Sequence, residues 1–209
     1  MNAGYRMVLP ASWARLPANP IALRPVVRRL LLDLWADQPR DQTARRRRQL
    51  EQQLVELGNQ AADGGGRELL VCLQTAGDVT LAASAVVSLH PTLVQGDECL
   101  QQLAETNRLT AASSEVINLG RNRGLLVIRD CLVEDALPVP DTATHEQREA
   151  LADAVRSTRQ VDVHLPVPDE PAMLLLSFST PVAPLFDAFT ELFVALASTV
   201  QWRADQTWT

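Results

Sequence analysis

Lysine is absent from this sequence: all 19 basic side chains are arginine. A GC-rich coding genome accounts for that without any function. A need for bidentate guanidinium contacts is the sharper alternative. Without lysine, Gly120-Arg121-Asn122-Arg123-Gly124 is no phosphate-cradling loop, which needs a lysine and a following helix. It reads as a hairpin turn, and Arg121 and Arg123 are left to face any anionic partner.

Cysteine and histidine are equally sparse. Cys72, Cys99 and Cys131 are far apart and odd in number, which argues against a disulfide framework. Cys72 and Cys131 sit in apolar strand-like runs and are expected to be buried; Cys99 is expected to be the accessible one. His90, His145 and His164 show no i,i+4 pairing and no cysteine at ligand spacing, so no metal site is expected. No cofactor motif is present either.

Long apolar runs are missing too. No stretch suits a bilayer-spanning helix, so no membrane insertion is expected. The start, Met1 to Arg6, has no basic region followed by an apolar one, and the expected compartment is the cytoplasm. The net charge is -6, which argues against nucleic acid as a partner.

What is present is an ordinary globular balance, 46% hydrophobic and 21% charged. Tyr5, Met7 and Leu9 alternate as a first strand. An irregular proline-rich stretch follows around Trp13 and Leu16. Pro25 suits the first turn of a helix carrying Val26, Val27, Leu30, Leu31, Leu34 and Trp35 as one stripe. A second helix, N-capped by Asp41, runs to about Gly58 with a thin apolar line of Leu50, Leu54 and Leu57. Gly64 to Gly66 is a hinge.

The middle reads as strands. Leu69 to Leu73 and Val79 to Leu89 form one hairpin; Val116 to Leu119 and Leu125 to Leu132 form another. A short helix over Gly96–Asn107 lies between them. Residues 136–144 read as a loop, and His145 to Ala154 as a short helix. Val161, Val163, Leu165 and Val167 alternate with Asp162, His164 and Pro166, which predicts a strand with one wet face. Met173 to Ser179 returns apolar on both sides. Leu185, Phe186, Phe189, Leu192, Phe193 and Leu196 then line one side of a helix that must pack on the sheet. Val200 and Trp202 end the fold as a short edge strand. The expectation is a single α+β domain, a mostly antiparallel sheet over about 5–9 and 68–202, with a helical segment over about 25–62.

Leu176-Ser177-Phe178-Ser179-Thr180-Pro181, the Phe/Leu helix after it and Ser198-Thr199-Val200-Gln201-Trp202 resemble the closing module of the PsbP-like α/β/α sandwich group. Val8-Leu9-Pro10-Ala11-Ser12-Trp13 resembles that group's first strand. The resemblance covers the two ends and leaves the middle to pattern alone. The chain also resembles uncharacterised actinobacterial proteins. The group includes photosystem assembly proteins, a Ran-binding nuclear import factor, actinobacterial lipoproteins and adaptor chaperones of type VI secretion. No lipobox is present here. The group's members mostly bind proteins and share no catalytic residues, so the resemblance implies a protein partner and no enzymatic site.

Two sets of residues remain as candidates. His164 and Asp162 share one strand face, and a His–Asp pair can orient a general base. No nucleophile motif accompanies it: Ser177 and Ser179 lack a nucleophile elbow. A polar surface pair is the plainer reading. The Arg45-Arg46-Arg47-Arg48 run spreads around a helix and is diluted by Asp37, Asp41 and Glu51, so it is a solvated surface or a docking patch for an acidic partner. Val194, Trp202 and Trp208 are the candidates for an exposed apolar contact. The resulting expectation is an adaptor- or chaperone-like binding protein for a secreted or membrane-associated client. The alternatives are an enzyme with a dispersed site at His164 and Asp162, and a structural or self-associating protein.

Overall fold

A computed structural model describes residues 4–36, 40–76, 79–132 and 157–203. Its centre is a seven-stranded antiparallel sheet. In sheet order the strands are β2 (Trp13–Pro17), β3 (Gly66–Ala76), β4 (Val79–Pro91), β8 (Ala172–Thr180), β7 (Ser157–Pro166), β6 (Asn122–Leu132) and β5 (Ser113–Leu119). Four helices are described: α1 (Pro20–Leu34), α2 (Arg40–Asp63), α3 (Gly96–Asn107) and α4 (Phe186–Ser198). The α+β class with a mostly antiparallel sheet is therefore as the alternation of apolar residues predicts.

Both sheet faces are covered, by different means. On one face the stripe of α4 supplies Phe189, Phe193, Leu196 and Ala197 to a core with Leu70, Ala85, Val87, Val161, Val163, Leu165, Leu176 and Phe178. Phe178 and Phe193 stack with centroids 4.7 Å apart. On the other face two separate clusters form. Leu23, Val27 and Leu31 of α1 and Leu54 of α2 pack on Leu16, Leu69 and Val71. Cys99 and Leu100 of α3 pack on Leu125, Val127 and Met173. A row of polar side chains runs across the sheet between these two clusters.

Several local expectations are corrected. The first strand is only β1 (Gly4–Arg6), and it pairs with β9 (Gln201–Arg203) in a separate two-stranded ribbon, Tyr5 opposite Trp202. Beyond Arg6 the chain leaves the ladder: the Val8 amide donates to Thr199 Oγ1 at 3.0 Å instead. The edge position of the main sheet belongs to Trp13–Pro17, the stretch expected to be irregular. Trp13 and Leu16 are both buried but on opposite faces, so no alternation was there to see. Pro17 is tolerated because it ends an edge strand.

Helix α1 starts at Pro20, not Pro25. Asn19 caps it, accepting from the Ile21 amide at 3.0 Å through Oδ1, and Pro20 takes the first-turn position. Pro25 lies inside the helix on its exposed side. Helix α2 runs five residues past Gly58, and that glycine marks a close crossing: a Cβ there would lie 2.3 Å from Leu23 Cδ2. The β5–β6 turn is shorter than the five residues expected, with Gly120 at φ 62°. The loop over 136–144, the helix over 145–154 and Trp208 lie outside the described residues.

Candidate functional site

The polar row is built from strand pairing. His164, Asp162 and Gln160 of β7 stand opposite Leu125, Val127 and Arg129 of β6, and opposite Leu175, Ser177 and Ser179 of β8. Strand alternation puts all of them on the face that carries α1 to α3. The expected wet face is thus a correction: Asp162 is only 5% exposed, because α3 and the neighbouring strands close over it.

Asp162 is saturated. Its Oδ2 accepts from Arg129 Nη1, and its Oδ1 from Ser177 Oγ at 2.6 Å. Gln160 Nε2 adds bonds at 3.0 and 3.1 Å. Arg129 also donates through Nη2 to Asn107 Oδ1, and Asn107 Nδ2 donates to the Leu103 carbonyl at 2.9 Å. The network thereby ties the C-terminal end of α3 to the sheet, where an arginine also suits the helix dipole. Ser84 and Ser179 extend the row with an Oγ–Oγ contact of 2.9 Å.

His164 shares this face but not the network. No hydrogen bond joins it to Asp162 among the described residues, and its Nε2 is buried without a partner. Burial pushes its pKa below the ordinary 6.5; the Asp162 carboxylate opposes that, and Arg129 and His90 add to it. His90 is exposed and meets Ser88 Oγ at 2.7 Å through Nε2. The pair singled out in the sequence is therefore brought to one face and left without the His–Asp bond that orients a base. Ser177 donates to the Asp162 carboxylate, which also accepts from Arg129 and Gln160. A cleft beside this row, near Ser84 and Ser179, is about 180 Å³, smaller than an ordinary ligand pocket. Among the described residues no cluster of three metal-ligating side chains occurs.

The other candidates fall elsewhere. Arg45, Arg46 and Arg48 are exposed on α2, while Arg47 is half-buried on its inward line. Val194 is half-buried and packs against the core rather than standing free. Trp202 is likewise half-buried: its Nε1 donates to Asn122 Oδ1 at 3.0 Å, and Asn122 Nδ2 donates to the Val200 carbonyl at 2.7 Å. Cys99, expected to be accessible, is buried on the sheet-facing side of α3, and burial pushes its thiol pKa up.

An exposed apolar and basic face lies outside the residues singled out from the sequence. On α1, Ile21 is 89% and Leu32 50% exposed, and Pro25, Arg24, Arg28 and Arg29 are exposed around them. A signal was available: Ile21, Pro25, Arg28 and Leu32 fall within about 60° of one another at 100° per residue, opposite the buried stripe.

Fold and surfaces together define an α+β protein with an antiparallel sheet between helical layers, a buried structural polar network and one exposed basic–apolar helical face. No protein-family model matches the chain, and no curated protein matches it. Among the described residues no helix is long and apolar enough to cross a membrane.

Proposed function

We propose that this chain is a non-enzymatic protein-binding adaptor or chaperone for a secreted or membrane-associated client, built on a PsbP-like sandwich. The observation that carries the reading is the outer side of the α1–α2 hairpin. Its apolar side chains are exposed although the same helix buries Leu23, Val27 and Leu31 completely. Apolar side chains rimmed by charge mark interaction sites more often than they are left bare. The polar row supports the same reading, since Asp162 spends its oxygens on Arg129, Gln160 and Ser177. The buried thiols of Cys72 and Cys99 suit a reducing compartment such as the cytoplasm.

The test is affinity purification of the full chain from its own cells under mild conditions. One stoichiometric partner is expected, and it should be lost when Ile21 and Leu32 are both replaced by serine. Recovery of no stoichiometric partner would overturn the reading.

A further inference from the structure

The distribution of charge goes further than the presence of a surface. Residues 20–48 hold eight of the 19 arginines and three of the 25 carboxylates, so a basic segment sits in an acidic chain. The arginines of the sheet are committed: Arg15 to Glu68, Arg123 to Asp97, Arg129 to Asp162, and Arg159 to Asp130 and Asp187. Among the described residues of the hairpin, Arg28 is the one arginine in an ion pair, to Glu51 at 2.7 Å. Arg24, Arg29 and Arg45 to Arg48 have no ion-pair partner among the described residues.

Part of this charge forms one strip. Arg24 and Arg28 of α1 and Arg48, Gln52 and Val55 of α2 line a shallow interhelical cleft of about 560 Å³, with Glu51, which holds Arg28, and Glu56 on its α2 wall. Arg24 and Arg28 also border the Ile21, Pro25 and Leu32 face, and Arg48 and Gln52 continue to Arg45 and Gln49. Arg24, Arg29, Arg45 and Arg48 lie along it as like charges without an ion-pair partner among the described residues, and holding them close costs stability. A ligand that neutralises them relieves that cost.

We propose that this strip binds an acidic, amphipathic segment of a protein partner. Carboxylates would face Arg24, Arg45 and Arg48, and an apolar side would lie on Ile21 and Leu32. The inference rests on the adaptor reading and names the chemistry of its partner. Guanidinium forks match carboxylates two bonds at a time; inside the cleft Arg28 already holds the Glu51 carboxylate through a single bond from Nε. An anionic bilayer is the rival, and three features disfavour it. The cations line a cleft between two helices instead of a plane. No aromatic side chain is among the exposed large hydrophobic residues described. The rest of the chain is strongly acidic, which opposes approach to an extended negative surface.

The experiment is fluorescence anisotropy with the full chain and a labelled synthetic helix of alternating glutamate and leucine faces. Its all-glutamine counterpart and phosphatidylserine-containing vesicles are the comparison probes. The glutamate peptide is expected to bind, more weakly as salt rises. Arg24→Glu with Arg48→Glu should reduce affinity by about tenfold or more. Arg121→Glu, on the distant β5–β6 turn, should leave it unchanged. Thermal melts of each variant separate lost binding from lost folding. Equal binding of the glutamine peptide, an unaffected charge-reversed variant, or preference for the vesicles would overturn the proposal. So would concentration-dependent self-association abolished by the same two changes, which would make a second copy the occupant. Retention of the cellular partner by the charge-reversed chain would remove this inference and leave the adaptor reading standing.

Discussion

Arg129 of β6 reaches diagonally to Asp162 of β7, two residues from its register partner Gln160, and their ion pair closes a network that reaches Asn107 at the end of α3. The carboxylate is almost fully buried, while the guanidinium keeps about a quarter of its side-chain surface. Removing one member strands the other. Asp162→Asn is expected to destabilise the fold by about 2–4 kcal/mol, since breaking a buried pair leaves an unpaired charge behind. Arg129→Met combined with Asp162→Leu should recover part of that loss, because both polar partners then leave together. Urea melts of the three variants decide it. A double variant worse than Asp162→Asn would refute the structural account of this pair.

His164 gives the network a pH signature. Burial lowers its pKa below the ordinary 6.5, against the pull of Asp162 and with help from Arg129 and His90. The unfolded chain therefore binds the proton more readily than the folded one. Stability is complete above about pH 6.5 and declines as pH falls through the lowered folded value. His164→Gln should flatten the slope of stability between pH 7 and pH 5 without changing it at pH 8. An unchanged slope would show that this imidazole is not the group responsible.

How far the sequence carried depends on whether one face or two faces of an element are buried. Val161, Val163 and Leu165 announced β7, and the Phe189–Phe193–Leu196 stripe announced α4, because each alternates against polar neighbours. The Asp162 side of β7 misled for the same reason: polar residues on alternate positions read as solvent-facing, although Arg129 and Ser177 satisfy them under α3. Arg129 itself is hidden within the apolar run of β6, and nothing local says that it reaches the neighbouring strand and a helix. Trp13 and Leu16 bury on opposite faces, so the edge strand had no period to find. Asn19-Pro20 caps and opens α1, five residues before the Pro25 that the sequence reading placed in the first turn. The basic face of α1 was legible too, as a second stripe opposite the first.

Cys99 separates burial from sequence position in a direct way. It is only 7% exposed, on the side of α3 that packs against Leu125 and Met173, and burial raises its pKa. The thiolate is the reactive form, so native alkylation at pH 7.5 should be slow and become fast in urea. Peptide mass mapping after timed iodoacetamide treatment reads this at Cys72 and Cys99 individually. Rapid native labelling of Cys99 would mean that α3 does not stay on the sheet.

The crossing of α1 over α2 at Leu23 and Gly58 sets where Arg24 stands relative to Arg48. A methyl on residue 58 would meet Leu23 Cδ2 at 2.3 Å, and Leu23 is fully buried. In an open helix Gly→Ala would stabilise by about 1 kcal/mol. Here overpacking costs about 1–3 kcal/mol, so Gly58→Ala should be neutral to destabilising. Leu23→Ala alone should cost about 2–5 kcal/mol through the cavity it leaves. Combined, the new methyl occupies part of that cavity, and the double variant should be more stable than the sum of the two effects by about 1 kcal/mol or more. Additivity within error would mean that the two helices do not touch at this point. Because the neighbouring turn of α1 carries Arg24, Gly58→Ala should also weaken binding of the acidic peptide, while the distant Arg121→Glu leaves it intact. Binding is thus expected to follow the packing of the two helices, not the number of arginines alone.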